Sequence, residues 1–150
     1  MAGRNSQQTR ILHSDGGSSG TYGELEDVTQ ISGPNGTANV IDVTDLRSTA
    51  KESLPGLADY GQIQVTMNYT GGTEQVALYD MFAGNADPEY FKIAMPTSAA
   101  ATSFDVLSFR ASVTQCQFGA NVDDKQTLQI TLKTDGAVDL NQAVAVGSLT

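Results

Sequence analysis

Cys116 and His13 have the side chains best able to carry nucleophilic chemistry, and each is the single residue of its type in the chain. A catalytic thiol needs a neighbouring base to activate it. His13 lies in a segment with the glycine and serine content of a flexible arm, and Cys116 lies in a strand-like run, Val113–Phe118. We therefore interpret Cys116 as a small residue in or beside the core, and we expect neither thiol catalysis nor an intrachain disulfide.

Two pairs of carboxylates could support acid–base chemistry or bind a metal, namely Asp42 with Asp45 and Asp123 with Asp124. Asp123 and Asp124 are adjacent in a turn, where side chains point in different directions, so capping or solvation is the better interpretation. Asp42 and Asp45 have no further acid at a recognisable spacing and no His or Cys cluster beside them, which leaves a calcium site on loop aspartates as the alternative. We predict that the protein is not an enzyme and has no cofactor.

The charge of the chain argues against binding to nucleic acid. Eight Lys and Arg residues against seventeen Asp and Glu residues give a formal net charge of −9 and a pI near 4.2. Affinity for nucleic acid comes largely from basic side chains that release counterions, so we expect this chain to be repelled by phosphates. The sequence contains no signal-peptide pattern and no apolar run of membrane-spanning length, so we expect synthesis in a cytoplasm and no membrane partner.

The 150 residues are enough for one domain with a substantial core. Residues 1–23 are rich in glycine and polar residues, which predicts a flexible arm followed by a single β-rich domain over residues 24–150. Within that domain, strict alternation of apolar and polar residues from Gln62 to Tyr69 predicts a strand with one buried and one wetted face.

One amphipathic helix is predicted directly after this strand. Thr73 is its expected cap, Glu74 in the first turn favours the helix dipole, and Gly84 marks its end. The side chains expected to face the sheet are Val76, Tyr79 and Ala83, with Leu78 and Phe82 beside them.

Other apolar runs predict strands on both sides of the turn at residues 33–36, and again near residues 90–95, 104–113, 128–132 and 138–146. In the run from Phe104 the apolar residues change phase between Val106 and Leu107, which predicts a bulge or a short break. Seven or eight strands with one helix predict a mainly β fold, a sandwich or barrel flanked by an α-helix.

Residues 44–60 do not fit a simple domain, because they form a long connection whose apolar residues follow neither the periodicity of a strand nor that of a helix. Such connections are usually functional or disordered. The apolar residues Leu46, Leu54, Leu57 and Tyr60 argue against disorder. Two interpretations follow: these side chains pack on their own sheet, or they dock on a neighbouring copy of the chain.

Three short runs here resemble a motif of the lambda-like family of phage tail tube proteins: Asn39–Leu46 (NVIDVTDL), Ser48–Glu52 (STAKE) and Leu54–Leu57 (LPGL). Later runs, Asn121–Lys125 (NVDDK) and Leu128–Gly136 (LQITLKTDG), resemble the closing strand of that family. The order of parts agrees from about residue 24 to residue 136. Arg47 stands where the family often has an acidic residue, and Ser53 where it often has an aromatic one.

The resemblance implies a structural virion protein of a bacteriophage tail, related to the tube proteins of contractile injection systems. In this family copies join into hexameric rings, and the rings stack into the tube through which double-stranded DNA passes, without specific binding, during genome ejection. The implied partners are further copies of the chain, a tail tip or baseplate initiator, a tape measure protein and a tail terminator. The implied location is the virion tail, after synthesis in the cytoplasm of the bacterial host.

Two groups of residues are candidates for these roles. The candidates for inter-subunit contacts are Leu46, Lys51, Glu52, Leu54, Leu57 and Tyr60. The candidates for the lumen wall are the uncharged polar residues of the alternating strand, Gln62, Gln64, Thr66 and Asn68.

Two alternatives belong to other classes. The first is a monomeric β-sandwich that binds a sugar or a host protein, although 7% aromatic residues and no tryptophan offer few stacking platforms for a sugar. The second is another virion part, a tail terminator or a head decoration protein. The motif at residues 39–57 argues against both.

Overall fold

The computed structural model describes residues 4, 6–17 and 19–150. Among these residues it contains one α-helix, α1 (Thr73–Ala83), and a short 3-10 helix at Val146–Ser148. The strands are β1 (Arg10–Ser14), β2 (Gly23–Glu24), β3 (Val28–Ser32), β4 (Thr37–Asp42), β5 (Ser53–Asp59), β6 (Gln62–Asn68), β7 (Glu89–Pro96), β8 (Ser103–Gly119), β9 (Thr127–Thr134) and β10 (Asp139–Ala145).

Eight of the strands form one antiparallel sheet in the order β2-β1-β7-β8-β9-β6-β3, with β10 paired to β8. The 17-residue strand β8 pairs with β7 and β10 along its first half and with β9 along its second half. Ile11 of β1 and Ile63 of β6 lie in one core although their strands are far apart in this order. The sheet therefore curves over itself, and the mainly β fold with a flanking helix predicted from the sequence is confirmed.

Residues 10–14 differ from the flexible arm expected at residues 1–23. They form β1, which pairs with β7 over five residues and buries Ile11 and Leu12 to 1% exposure on opposite faces. A single apolar pair in a polar segment is a weak signal, and only the pairing partner supplies the missing hydrogen bonds. The folded domain thus begins before residue 24, while residues 1–3, 5 and 18 of the expected arm lie outside the described residues.

His13 is buried in β1, in contrast to the unstructured position expected for it. Its ring lies 5.0 Å from that of Phe91, its Nδ1 is 2.9 Å from a carboxylate oxygen of Glu74, and its Nε2 contacts the carboxylate of Glu89. Both ring nitrogens are therefore engaged in linking β1 to α1 and β7. This histidine is a structural residue and does not serve Cys116 as a base.

The change of phase in β8 comes from burial on both faces of the strand. Phe104 and Val106 belong to one core cluster, and Phe109 and Ala111 belong to the other. The pairing of β8 with β7 runs unbroken through this region. β8 itself therefore has no bulge at residues 106–107, in contrast to the prediction. The irregularity opposite Phe104 and Val106 lies in β10, between Asn141 and Val144, and the register of β8 with β9 shifts between Val113 and Gln115.

Helix α1 lies where the sequence predicts it, but its cap and its buried face both differ from expectation. The N-cap is Gly72, which makes no side-chain capping bond, and Thr73 is the first helical residue. The buried side chains are Gln75, Leu78 and Met81, whereas Val76, Tyr79 and Phe82 of the predicted stripe are exposed.

The orientation of α1 follows from the hydrogen bonds of Gln75, a polar residue that is 1% exposed. Its Nε2 donates to the carbonyl oxygens of Asn68 at 2.9 Å and Glu26 at 3.3 Å, and its Oε1 accepts from the backbone N–H of Thr70 at 3.0 Å. A buried amide must find such partners, since an unsatisfied polar group costs free energy. Hydrogen bonding, which apolar periodicity does not report, thus decides which face of the helix turns inward.

We predict that Gln75→Leu lowers the free energy of unfolding by about 1–3 kcal/mol, because the partly buried backbone groups of residues 26, 68 and 70 lose their hydrogen-bond partner. Urea denaturation of the monomer measures this. The matched control is Gln64→Leu on the exposed face of β6, which should change the same quantity by less than about 0.5 kcal/mol. Equal effects of the two substitutions would contradict the bridging role of Gln75.

Candidate assembly surfaces

Strands β4 and β5 form a two-stranded sheet separate from the main sheet, called here the hairpin (residues 37–59). All residues of β4 are exposed, and so are all residues of β5 except Gly56. Val40 lies opposite Pro55, and the next pair is Ile41 opposite Leu54. Because successive pairs point to opposite faces, both faces of the hairpin carry exposed apolar side chains.

The hairpin replaces the long irregular connection expected at residues 44–60. Residues 53–59 are a strand, and the turn at residues 43–52 is ordered by its own hydrogen bonds. The N–H of Val43 donates to the carbonyl of Glu52 at 3.0 Å, and Thr44 bonds the backbone of Glu52 through its hydroxyl. The sequence hides β5 because Pro55 and Gly56 interrupt its pattern, which an edge strand tolerates.

Asp42 and Asp45 hold this turn together. A carboxylate oxygen of Asp45 accepts the backbone N–H groups of Arg47 at 2.8 Å and Ser48 at 3.0 Å. Hydrogen bonds from Thr44 lower the pKa of Asp42 below its usual value, because they favour the ionised form. Both carboxylates are thus committed to turn geometry.

The remaining chemical candidates also have structural roles. The carboxylate of Asp124 accepts from the N–H of Lys125 at 2.8 Å, and Asp123 takes a left-handed turn conformation with φ at 59°. Cys116 packs against the main core as expected, and burial raises the pKa of its thiol. Over residues 4, 6–17 and 19–150, no three His, Cys, Asp or Glu side chains form a group suited to a metal ion, and no helix is long and apolar enough to span a membrane.

The hairpin carries the residues that the sequence singled out for contacts between subunits. Leu57 is 95% exposed and Leu46 fully so, while Leu54, Lys51 and Glu52 are also exposed. Tyr60 differs, because it is half-buried where the hairpin joins the main sheet, between β5 and β6. Sequence reasoning missed three further exposed apolar residues, Val40, Ile41 and Val43, because an apolar run resembles a buried strand.

The base of the hairpin is fixed to the main sheet at one end of β6. The Nζ of Lys133 lies 2.7 Å from a carboxylate oxygen of Asp59, and this contact, with the N–H of Gly61, lowers the pKa of Asp59. The carbonyl of Gly61 also accepts the N–H of Thr134 at 3.2 Å and its hydroxyl at 2.9 Å. These bonds set the place from which the hairpin projects.

The second surface is the side of the main sheet that faces away from the core, called here the neutral face. On β6 the buried residues alternate with Gln62, Gln64, Thr66 and Asn68, as the sequence predicted. The pairing registers extend this face across the neighbouring strands with Gln30, Ser32, Ser112, Gln115, Gln117, Thr127, Gln129, Thr131 and Lys133. Amides and hydroxyls make up most of this surface, although Thr131 and the Oδ1 of Asn68 are buried. Its charged members are Lys133, paired with Asp59, and Arg110, which lies two residues before Ser112 on the same side of β8 and is paired with Asp135.

The family of the chain follows from comparison with protein-family models. Residues 2–144 match the model of the family described as phage tail tube, lambda-like. The chain belongs to the lambda-like phage tail tube family. This match confirms the family resemblance seen in the sequence. Tail tube proteins of this family are structural components of the virion tail.

Solved structures share this tail tube fold at low sequence identity. A chain from the tail of an empty gene transfer agent particle, refined with C6 symmetry, matches with a TM-score of 0.70 and 18% identity over 93% of this chain and 99% of that chain. The SPP1 tail tube protein matches with a TM-score of 0.69 and 16% sequence identity, over 95% of this chain and 81% of that chain. A chain from the sheath–tube complex of an extracellular contractile injection system matches with a TM-score of 0.71 and 16% sequence identity, over 94% of this chain and 93% of that chain. A comparison with curated proteins finds no significant match.

The exposure of the hairpin predicts that its apolar residues contribute little to the stability of the monomer. Leu54→Ser should change the free energy of unfolding by less than about 0.5 kcal/mol. Ile130→Ala in the core should lower it by about 2–5 kcal/mol. Chemical denaturation at concentrations where the protein is monomeric compares the two, and a core-sized loss for Leu54→Ser would mean that the hairpin packs on its own domain.

Proposed function

We propose that this tail tube protein works without catalysis, by forming hexameric rings that stack into the conduit through which double-stranded DNA leaves the capsid. The observation that carries the proposal is the hairpin, an ordered element on which the described apolar side chains of both strands are exposed. The number six rests on the resemblance to the family and on the sixfold symmetry applied to the gene transfer agent tail.

The hairpin is the part of the chain that needs a second copy. An isolated two-stranded hairpin is marginal in water, and exposed apolar clusters of this kind mark interaction surfaces. In the proposed stack Leu46, Leu54 and Leu57 are buried by the neighbouring ring. Lys51 and Glu52 lie at the rim of that contact, and Tyr60 supports it from the base.

The neutral face is the proposed wall of the lumen. Neutral amides and hydroxyls hydrogen-bond to water and offer no cations to hold phosphates, whose binding depends on lysine and arginine. Lys133 and Arg110 do not break this pattern, because each is paired with a carboxylate, of Asp59 and Asp135 respectively. Six copies at −9 each give a ring a formal charge of −54, which further disfavours adhesion of DNA.

The proposed assembly takes place after synthesis in the cytoplasm of the bacterial host. A tail tip or baseplate initiator begins the stack, a tape measure protein occupies it, and a terminator ends it. Premature growth is opposed by the repulsion between copies that each carry a formal charge of −9.

We predict that Leu57→Ser raises the concentration needed for tube growth by about ten- to a hundredfold. Burial of one leucine side chain contributes about 1.5–3 kcal/mol to a contact, and each 1.4 kcal/mol is a factor of about ten. Sedimentation of assembled protein, with negative-stain electron microscopy of the pellet, measures the change. Leu140→Ser is the control, because Leu140 is 56% exposed but lies outside the hairpin. Absence of tubes or stacked rings for the unmodified chain, even after a tail tip initiator is added, would overturn the proposed function.

A second prediction concerns salt. Because like-charged copies repel, sodium chloride should increase the assembled fraction as the screening length falls from about 30 Å at 0.01 M to about 8 Å at 0.15 M. Sulfate is avoided, since it strengthens apolar burial by itself. Faster assembly in low salt would instead show that attractive ion pairs between copies dominate.

A further inference from the structure

A second exposed apolar cluster lies on α1 and at the end of β8, called here the distal patch. Its members are Val76, Tyr79, Phe82 and Phe118, all at least 39% exposed, and the exposed Val122 follows in the turn after β8. The ring of Phe118 makes edge contacts with Tyr79 at 5.9 Å and with Tyr69 at 5.3 Å. Tyr69 in turn packs against the larger core cluster, which contains Ile63, Val65 and Met67. The distal patch therefore continues this core to the surface of the protein. Contiguous apolar surface of this kind is typical of an interface.

The distal patch and the hairpin lie at opposite ends of the same strand. The hairpin joins the main sheet at Gln62, the first residue of β6, and α1 follows Asn68, the last residue of β6. Phe118 lies at the same end as Asn68, because Leu128 pairs with both Phe118 and Met67. Seven residues of strand separate the two ends by roughly 20 Å, so one copy cannot easily bring its hairpin onto its own patch.

Two different apolar surfaces at opposite ends of one subunit favour head-to-tail association. Contact between a surface and its own copy would give a closed pair, whereas contact between two different surfaces repeats, and gives a ring or an open stack according to the rotation between copies. A stack requires the second kind of contact. Each added copy then covers one apolar surface of the copy before it and leaves the other surface open for the next.

Charged side chains border both surfaces. The turn of the hairpin carries Arg47 and Lys51, neither of which forms an ion pair within the part of the chain that the structure describes, together with Asp45 and Glu52. The distal patch is bordered by Asp80 on α1 and by Asp123 and Asp124 beside Val122, with Lys125 next to them. Opposite charges at the edge of an apolar contact fix its orientation more than its strength.

We propose that the distal patch of one copy is the docking surface for the hairpin of the next copy along the tube. This inference rests on the proposed function and adds the identity of the receiving surface. It assigns an interaction role to the exposed stripe of α1, which no requirement of the monomer explains.

Chemical cross-linking between two single-cysteine variants tests the pairing directly. In a Cys116→Ser background, copies carrying Leu57→Cys or Leu54→Cys are mixed with copies carrying Val122→Cys or Tyr79→Cys. The mixtures are assembled and treated with a short bis-maleimide. We expect covalent dimers in the mixed samples and few in samples of one variant alone, because the two positions meet only across the contact.

Leu140→Cys is the matched control, because its side chain is similarly exposed but lies in neither surface. It should give no dimer with a hairpin cysteine. If tubes form but none of the four mixtures cross-links above this control, the pairing is wrong while the proposed function stands. Efficient cross-linking of Leu57→Cys with itself would also overturn the pairing. If no tubes or rings form from the unmodified chain with its initiator, the proposed function fails, and this inference fails with it.

Discussion

The seven-residue antiparallel pairing of β6 with β9 is the interaction on which the other features depend. It directs Ile63, Val65 and Met67 into the core and, by the alternation of a strand, places their polar neighbours on the neutral face. It also fixes the two ends of β6, from which the hairpin and α1 depart. A shift of this register by one residue would exchange the two faces and move glutamines into the core.

Some of this arrangement could be predicted from the sequence because it rests on local pattern. The alternation in residues 62–69 identifies β6 and its polar face without any tertiary information. The limits of α1 follow from the glycines on either side of it. The runs at residues 39–57 identify the family, since a motif depends on residue identity and not on packing.

Other features depend on partners that are distant in the chain. β1 is a strand because β7 lies beside it, and α1 buries Gln75 because carbonyl groups of residues 26 and 68 lie within reach. An apolar pattern alone cannot predict that a glutamine is buried while a tyrosine of the same helix is exposed. The pairing of β4 with β5 was not predicted, because Pro55 and Gly56 interrupt the pattern of β5. The apolar residues of β4 resemble those of a core strand, and only the fold shows that no core covers them.

The separation of the hairpin from the core has a consequence for the geometry of a tube. In a stack joined through this element, the axial period is set by how far the hairpin reaches from its base beside Lys133. Two more residues in each of β4 and β5 would keep the two faces of the hairpin, extend that reach by about 6.6 Å and leave every core contact in place. The spacing of rings could therefore change during evolution without a matching change in the stability of the subunit.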